Sequence, residues 1–553
     1  MNRREALAAL GATAVAAQAQ DAAGPYPHFD AILRRHDEAV VHYMSRQITD
    51  PKARWRGNFA DANGLFWPGT LSGILETLAT AFVYPQSKHY KSNEVFARMQ
   101  MASETLLRET SADGNIDNPV TNWNSPPDTA FAVRSLASGA ILARRAGNRE
   151  ASALLEPWLR KAGASLARGG IHTPNHRWVV CAALAQVHEL FNEPSYVKRI
   201  DQWLAEGIDI DEDGQYDERS TAVYNPITDN AFTTMAAKLK RPELLDPVRK
   251  NLNAMLYLLH PGYEVVTEIS RRQDLNQRGD MGGYWFSLQH LAVRDNDGRF
   301  ATLSRHFAPT RGSLPALLEY PEINIAKPSP QPVPDTYEKT FPGLGLTRIR
   351  RGELSACIFA DNSRFFTLRK GVAVINAVRF ASAFFGKAQF RPTSVAKREG
   401  AWFLTQSLEG PYYQPFQPPR RIQASEWTDT QKQRPQSEVM KLTQSAEIRE
   451  TPTGFRIRIR ANGTKDVPLA IEVNLREGGK LDGVEPAPDV PSGFLLSRGQ
   501  AVYKLGGNTI KFGPGLAVNT YTQVRGAESK LSGPSVYLTG LTPFDHTLDF
   551  ECS

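Results

Sequence analysis

The sequence predicts a multidomain α+β chain: an N-terminal (α/α) toroid of helical hairpins, then a C-terminal antiparallel β-sandwich. Three observations carry this reading. The 553 residues exceed what one hydrophobic core organises. In the first half, segment after segment shows apolar residues at three- and four-residue spacing; after residue 342, short β-branched and aromatic runs replace them. Between the halves, Pro321, Pro328, Pro330, Pro332 and Pro334 crowd a short stretch, the mark of a linker or extended strap over 321–341. Hydrophobic residues make up 41% and charged residues 22%, a balance that argues against disorder. No apolar run reaches the roughly 18–20 residues that a membrane span needs.

The first residues read as an export leader. Met1-Asn2-Arg3-Arg4 is a short basic region, residues 6–17 are small and apolar, and Ala17-Gln18-Ala19 fits an A-x-A cleavage site. The Arg3-Arg4 pair, followed by Glu5, resembles a twin-arginine signal. Residues 1–19 are therefore expected to be removed, and the protein to act in the periplasm or outside the cell. A frayed amphipathic helix is the plainer alternative.

Helices are expected over 29–48, 70–83, 91–109, 127–146, 150–167, 174–192, 195–206, 227–239 and 242–259. Ser125-Pro126-Pro127-Asp128 supplies an N-cap, a proline at the first helical position and an acid three residues on. Thr173-Pro174 repeats the device. Glu193-Pro194, Arg241-Pro242 and His260-Pro261 mark further breaks or starts. Short connections imply antiparallel neighbours, and with no strands between them the helices of 20–320 suggest a toroid. A bundle or solenoid fits the same pattern. Strands are expected over 356–360, 365–368, 372–385, 455–460, 469–475 and 502–505, within some ten to fourteen strands across 342–553. Phe455-Arg456-Ile457-Arg458-Ile459-Arg460 alternates strictly, as a strand with one wet face should.

The chain carries a net charge of +7, which favours acidic partners. No zinc-finger spacing, glycine-rich phosphate loop or lysine-rich tail points to nucleic acid. Three cysteines, Cys181, Cys357 and Cys552, provide neither a disulfide framework nor zinc-ligand spacing. Asp209, Asp211 and Asp213 alternate like the first ligands of a calcium loop, but Ser220 stands where the twelfth-position acid belongs. No metal and no cofactor is expected.

Four segments could carry chemistry. In Gly169-Gly170-Ile171-His172-Thr173-Pro174-Asn175-His176-Arg177-Trp178, Asn175 and His176 fall in the first turn of a helix, where free N–H groups and the helix dipole suit a carboxylate. Asn175 can donate to that carboxylate, His176 can move a proton, and Arg177 stands beside them. Next, Asp213-Gly214-Gln215-Tyr216-Asp217-Glu218 and Val223-Tyr224-Asn225 offer two phenols, Tyr216 and Tyr224, as proton carriers. Arg271 and Arg272 form a candidate carboxylate clamp; Trp285 and His290 add a stacking face and another proton carrier. Finally, Trp123 and Asn124 can line a sugar cleft, while Asp128 reads first as a capping acid. Each also has a structural reading: a capping Asn-His pair, a solvated turn, arginines bridged to Glu268 and Asp274, a core histidine.

Together these segments resemble the heparinase II/III-like and alginate lyase group of polysaccharide lyases. The Asn175-His176 pair opening a helix and the run Asp213-Gly214, Tyr216, Glu218, Tyr224 carry the resemblance. It implies an incomplete (α/α) toroid with an antiparallel β-domain and an acidic polysaccharide or oligosaccharide as substrate. It further implies that Asn175 neutralises a uronate carboxylate while His176 and Tyr224, with Tyr216 second, move protons in a β-elimination. Two features depart from the group: Pro174 stands where a second Asn is common, and the only β-domain histidine is His546, with His290 as substitute. The rival readings are an inverting glycoside hydrolase using Asp128 with Glu218 or Asp229, and a glycan-binding protein without catalysis.

Overall fold

The computed structural model describes residues 24–59, 63–308 and 313–553; the expected export leader lies outside them. These residues form two compact units. The first takes in the described residues up to Leu258 and Glu264–Val333, the second Leu259–Tyr263 and Pro334–Ser553.

In the first unit, helices Pro68–Val83, Pro126–Arg145, Pro174–Phe191, Tyr224–Leu239 and Trp285–Asp295 form an inner row, each packing on the next. Asn93–Arg108, Arg149–Leu166, Pro194–Ala205 and Asp246–Met255 stand outside it, each in a hairpin with its inner neighbour. This is an incomplete (α/α) toroid. Composition sorts the two rows. Inner helices are apolar nearly all round, so Val179-Val180-Cys181-Ala182-Ala183-Leu184-Ala185 is buried without a break, as the apolar run around Cys181 implied. The outer Pro194–Ala205 buries only Tyr196 and Ile200. Ser92, Ser125 and Asn148 cap their helices by accepting from the backbone N–H groups of Val95, Asp128 and Ala151. Thr173 does not; its hydroxyl serves Asn175 instead.

The expectation that no strand interrupts the helices needs correction. Ile116–Asn118 and Asn122–Ser125 form an antiparallel hairpin running into helix Pro126–Arg145. Helices Gly298–His306 and Ser313–Glu319 follow the inner row. The strap over 321–341 holds a 3-10 turn at Pro321–Ile323 and, at Thr336–Phe341, a strand at a sheet edge.

The second unit is a β-sandwich with more strands than the sequence suggested. An eight-stranded sheet runs from Lys480–Asp482 through Ala501–Leu505, Asn508–Gly513, Phe544–Cys552, Gly454–Gly463, Gln436–Thr451 and Ala401–Tyr413 to Ser394–Arg398. A nine-stranded sheet runs from Glu485–Pro486 through Gly493–Leu495, Ser535–Leu541, Pro468–Leu475, Ala373–Ser382, Phe366–Lys370, Leu354–Phe359 and Leu346–Arg351 to Thr336–Phe341. Neighbours are antiparallel except Gly493–Leu495 beside Ser535–Leu541. The core lies between the sheets: Ile349, Phe366 and Val378 from one, Trp402, Ile457 and Phe550 from the other. The alternating strand behaves as read. Phe455, Ile457 and Ile459 point inward, while Arg456 and Arg458 make two-pronged pairs with Asp549 and Asp545 outside.

Candidate active site

Pro174 fixes the first helical residue of the inner helix Pro174–Phe191, and Asn175 and His176 follow in its first turn. Asn175 is only 2% exposed. Its Nδ2 donates to Glu218 Oε2 at 2.7 Å and to the Thr173 hydroxyl at 3.2 Å, and its Oδ1 has no partner. The amide expected to meet a ligand's carboxylate thus meets one from the chain itself. His176 is half-buried. Its ring stands edge-on to His172 at 4.7 Å and to Phe131 at 6.2 Å, and Nδ1 is unpartnered. Burial, then the neighbouring His172, lowers its pKa to about 4 against the pull of Asp128; Arg272 adds to the lowering. The ring is therefore neutral at neutral pH, able to accept a proton.

The loop before the next inner helix is shaped by its acids. Gln215 N donates to Asp211 Oδ1 at 2.8 Å, and Gly214, at φ 79°, lies so close to Lys250 that a Cβ would stand 2.7 Å from its carbonyl oxygen. Asp209 accepts from Arg177 at 3.0 Å and from the Trp178 indole at 2.8 Å. Arg177 is accordingly a brace for this loop, stacked on Trp178, and not a ligand-facing group. Tyr216 requires the same correction. It is buried, and its hydroxyl donates to buried Asp229 at 2.7 Å. Burial first, then Asp229, pushes that phenol well above its ordinary pKa.

Two residues on, Glu218 turns back to the site. Besides accepting from Asn175, it lies 3.4 Å from Arg272. Burial raises its pKa, opposed by Asn175 and Arg272. Ser220 accepts from Tyr224 N at 3.0 Å and donates to Asp274 at 2.9 Å, which anchors the start of helix Tyr224–Leu239. Tyr224 stands at that start. Its hydroxyl oxygen accepts from Gln273 Nε2 at 2.8 Å, and the Arg272 guanidinium lies 5.0 Å over its ring.

The arginine pair does not act as one clamp. Arg271 leaves the site to bind Asp217 Oδ1 at 2.8 Å, while Arg272 stays between Glu218 and Tyr224. Neither pairs with Asp274, whose carboxylate accepts from Ser220, Ser270 and Ala222 N.

The hairpin of residues 116–125 is tied in through Asp128. That carboxylate accepts from Asn118, Asn122 and Ser125 at 2.9, 2.9 and 2.6 Å, and its charge acts on His176. Gly169 packs directly on Pro126, which brings the turn before Asn175 against the hairpin's end. Trp123 is 69% exposed on the hairpin. Asn124, at φ 48°, is occupied in shaping it, bonded to Ser111, Asp113 and Asp117.

The structure therefore gathers Asn175, His176, Tyr224 and Arg272, with Trp123 on the adjoining hairpin. It adds Glu218, Gln273, His172 and Phe131. Glu218 and His172 stood inside the segments singled out in the sequence; Gln273 stood beside Arg272 but had no signal of its own. Trp285 and His290 lie elsewhere. Trp285 is 4% exposed, with its indole donating to the Tyr26 hydroxyl at 2.9 Å, so it offers no stacking face. His290 is buried beside Phe286, and burial lowers its pKa to about 4.

A toroid of this kind joined in sequence to a large antiparallel sandwich is an architecture of known polysaccharide lyases, and several solved structures of such enzymes resemble this chain. The chain is similar to Streptomyces coelicolor A3 chondroitin AC lyase in complex with chondroitin sulphate, with 12% identity and a TM-score of 0.56 over 95% of this chain and 80% of that one. A heparan sulfate lyase mutant from Pedobacter heparinus matches with 12% identity and a TM-score of 0.51 over 94% and 82%. Paenibacillus xanthan lyase matches with 11% identity and a TM-score of 0.56 over 95% of this chain and 57% of its own. No family model and no curated protein matches the sequence.

Proposed function

We propose that this chain is a polysaccharide lyase that cleaves a uronic-acid polymer by β-elimination. The observation that carries the reading is the convergence of His176, Tyr224 and Arg272 at the starts of two inner helices. A neutral imidazole, a phenol with a donor on its oxygen and a guanidinium beside that phenol are the groups this reaction needs, and the fold is one that known lyases use.

The C5 proton of a uronate is acidic only insofar as the adjacent carboxylate takes up the charge. Arg272 and the nearby helix start stabilise that charge. Neutral His176 takes the C5 proton, the C5–H electron pair forms the C4–C5 double bond, and the C4–O bond breaks. Its electron pair goes to the glycosidic oxygen, which takes the Tyr224 proton. Solvent then moves the proton from His176 back to Tyr224. Gln273, donating to the phenol oxygen, steadies the charge left there. Asn175 acts through Glu218, holding that carboxylate against Arg272, and Trp123 supplies an exposed face for a sugar ring.

The hydrolase alternative needs two carboxylates free to flank a glycosidic bond. Asp128 already accepts three side-chain donors, and Asp229 is buried against Tyr216. Export through residues 1–19 belongs to the same proposal, and N-terminal sequencing of the protein recovered outside the cytoplasm tests it. The reaction itself is tested by the ultraviolet absorbance of the new double bond during incubation with a panel of uronic-acid polymers. A rise with one polymer, lost in His176→Ala and Tyr224→Phe, supports elimination. New reducing ends without absorbance would move the assignment to hydrolysis.

A further inference from the structure

In the β-sandwich unit, strands Ala401–Tyr413 and Gln436–Thr451 are joined by residues 414–435. Of these joining residues only Thr430 is buried. A connection this long, ordered yet barely packed, is uncommon unless it has a task. Its order comes from stacked cations. The Arg434 guanidinium lies 4.3 Å from the Phe416 ring and 4.4 Å from the Trp427 ring, and Arg420 lies 4.2 Å from Phe416. A short capping box between Gln423 and Glu426 adds a turn. At the base of the arm, Tyr412 stands edge-on to Phe385 at 5.5 Å, and Phe385 lies directly on Gly410, where a Cβ would meet its ring at 2.2 Å.

The arm displays Tyr412, 57% exposed, and Trp427, 51% exposed. Arg420 and Arg421 are exposed as well, and Arg434 is half-buried against the Phe416 and Trp427 rings. Aromatic rings set among guanidinium groups differ from the continuous apolar patch that another protein's core would cover. They match a chain of sugar acids: the C–H face of a pyranose packs on a ring, and a guanidinium takes a carboxylate by two N–H groups.

We propose that residues 412–435 form a second glycan-holding surface that grips a uronic-acid polysaccharide through Tyr412 and Trp427 and through Arg420, Arg421 and Arg434. This rests on the reading of the substrate as an acidic polysaccharide. The surface would keep a long chain on the enzyme between cuts, and a short oligosaccharide would not need it.

The test is affinity electrophoresis of the full chain through gels holding polygalacturonate, alginate or heparan sulfate, with hydroxyethyl cellulose as neutral control. The wild type should be retarded by at least one acidic polymer and not by the neutral one. Tyr412→Ala/Trp427→Ala should weaken that retention about tenfold to a hundredfold, the loss of two ring contacts. Trp427→Tyr should keep most of it. Arg420→Gln/Arg421→Gln should weaken it in the same direction while removing part of its salt dependence, and this pair serves if the aromatic variant does not fold. Cleavage of a short oligosaccharide should stay at the wild-type rate. Equal retention of wild type and both variants overturns the proposal, as does a wild type that no acidic polymer retards. A change from dimer to monomer with retention unaltered would assign the arm to self-association instead. Retention lost in the arm variants, with no polymer cleaved by the wild type, would keep the arm and remove the lyase reading.

Discussion

His176 shows how strongly a residue's surroundings set its chemistry. A ring held at a pKa of about 4 stays neutral in the folded protein at pH values where the unfolded chain's histidine, near 6.5, has taken its proton. Two consequences share that sign. The acid limb of kcat/KM, measured against pH on the polymer that is cleaved, should fall near 4 and not near 6.5. Between those values the unfolded chain binds a proton that the folded one does not, so this residue makes folding less favourable as pH falls. Asp229 illustrates the opposite sign. Burial raises its pKa well above the carboxylate range, opposed by the Tyr216 hydroxyl. The folded state therefore holds a proton that the unfolded state releases, and stability contributed here is present at low pH and declines as pH rises towards the folded value. Asp229→Asn, which carries no such cost, should raise the thermal midpoint relative to wild type more at pH 8 than at pH 5. An equal shift at both pH values would show that Asp229 is charged in the folded protein.

At the scale of elements, the site is a meeting of helix starts, and the devices that start those helices also aim its side chains. Ser125 caps helix Pro126–Arg145, and the same residue donates to Asp128, which gathers Asn118 and Asn122 of the hairpin. An amide at position 128 can accept through one oxygen only. Asp128→Asn should therefore loosen the hairpin and cost about 1–3 kcal/mol, the range for a polar group left without its partner. Thermal unfolding measures that loss. Kinetically, the variant should raise KM through Trp123 and keep elimination going, whereas complete loss of turnover with KM unchanged would give Asp128 a chemical role. The sequence had shown the cap but not the knot. Proline and serine announce a helix start from two or three neighbouring residues, while the hairpin depends on three side chains converging on one carboxylate. The same reason separates Tyr224 from Tyr216. The first sits within three residues of the helix expected from residue 227; the second is buried with a hydrogen bond to Asp229, which lies on the following helix and has no local signal.

Across the whole molecule, the parts that were legible are those written in periodicity. The expected helices from residue 29 to 255 lie within a few residues of the observed ones, because a buried inner helix or an amphipathic outer one displays its burial in its own sequence. Sheet edges and long hairpins display less. Strand Gln436–Thr451 is largely exposed over its first half, so neither alternation nor an apolar run marked it. Charge is the remaining whole-molecule property, and it is spread over the chain: 65 basic against 58 acidic residues, a net +7. A field of that kind draws a polyanion in from beyond contact distance, and salt weakens it over a Debye length of about 8 Å at physiological ionic strength. On a uronic-acid polymer, kcat/KM should fall several-fold as sodium chloride rises from low to physiological concentration, with kcat at saturation nearly constant, because under the proposed mechanism salt acts on encounter and not on the proton transfer assigned to His176. Neutralising one exposed arginine with no proposed glycan contact, such as Arg456→Gln, should leave that salt dependence almost unaltered, since the field is a sum over many charges. A fall in kcat of the same size would place the salt-sensitive step inside the site, at the contact proposed between Arg272 and a uronate carboxylate.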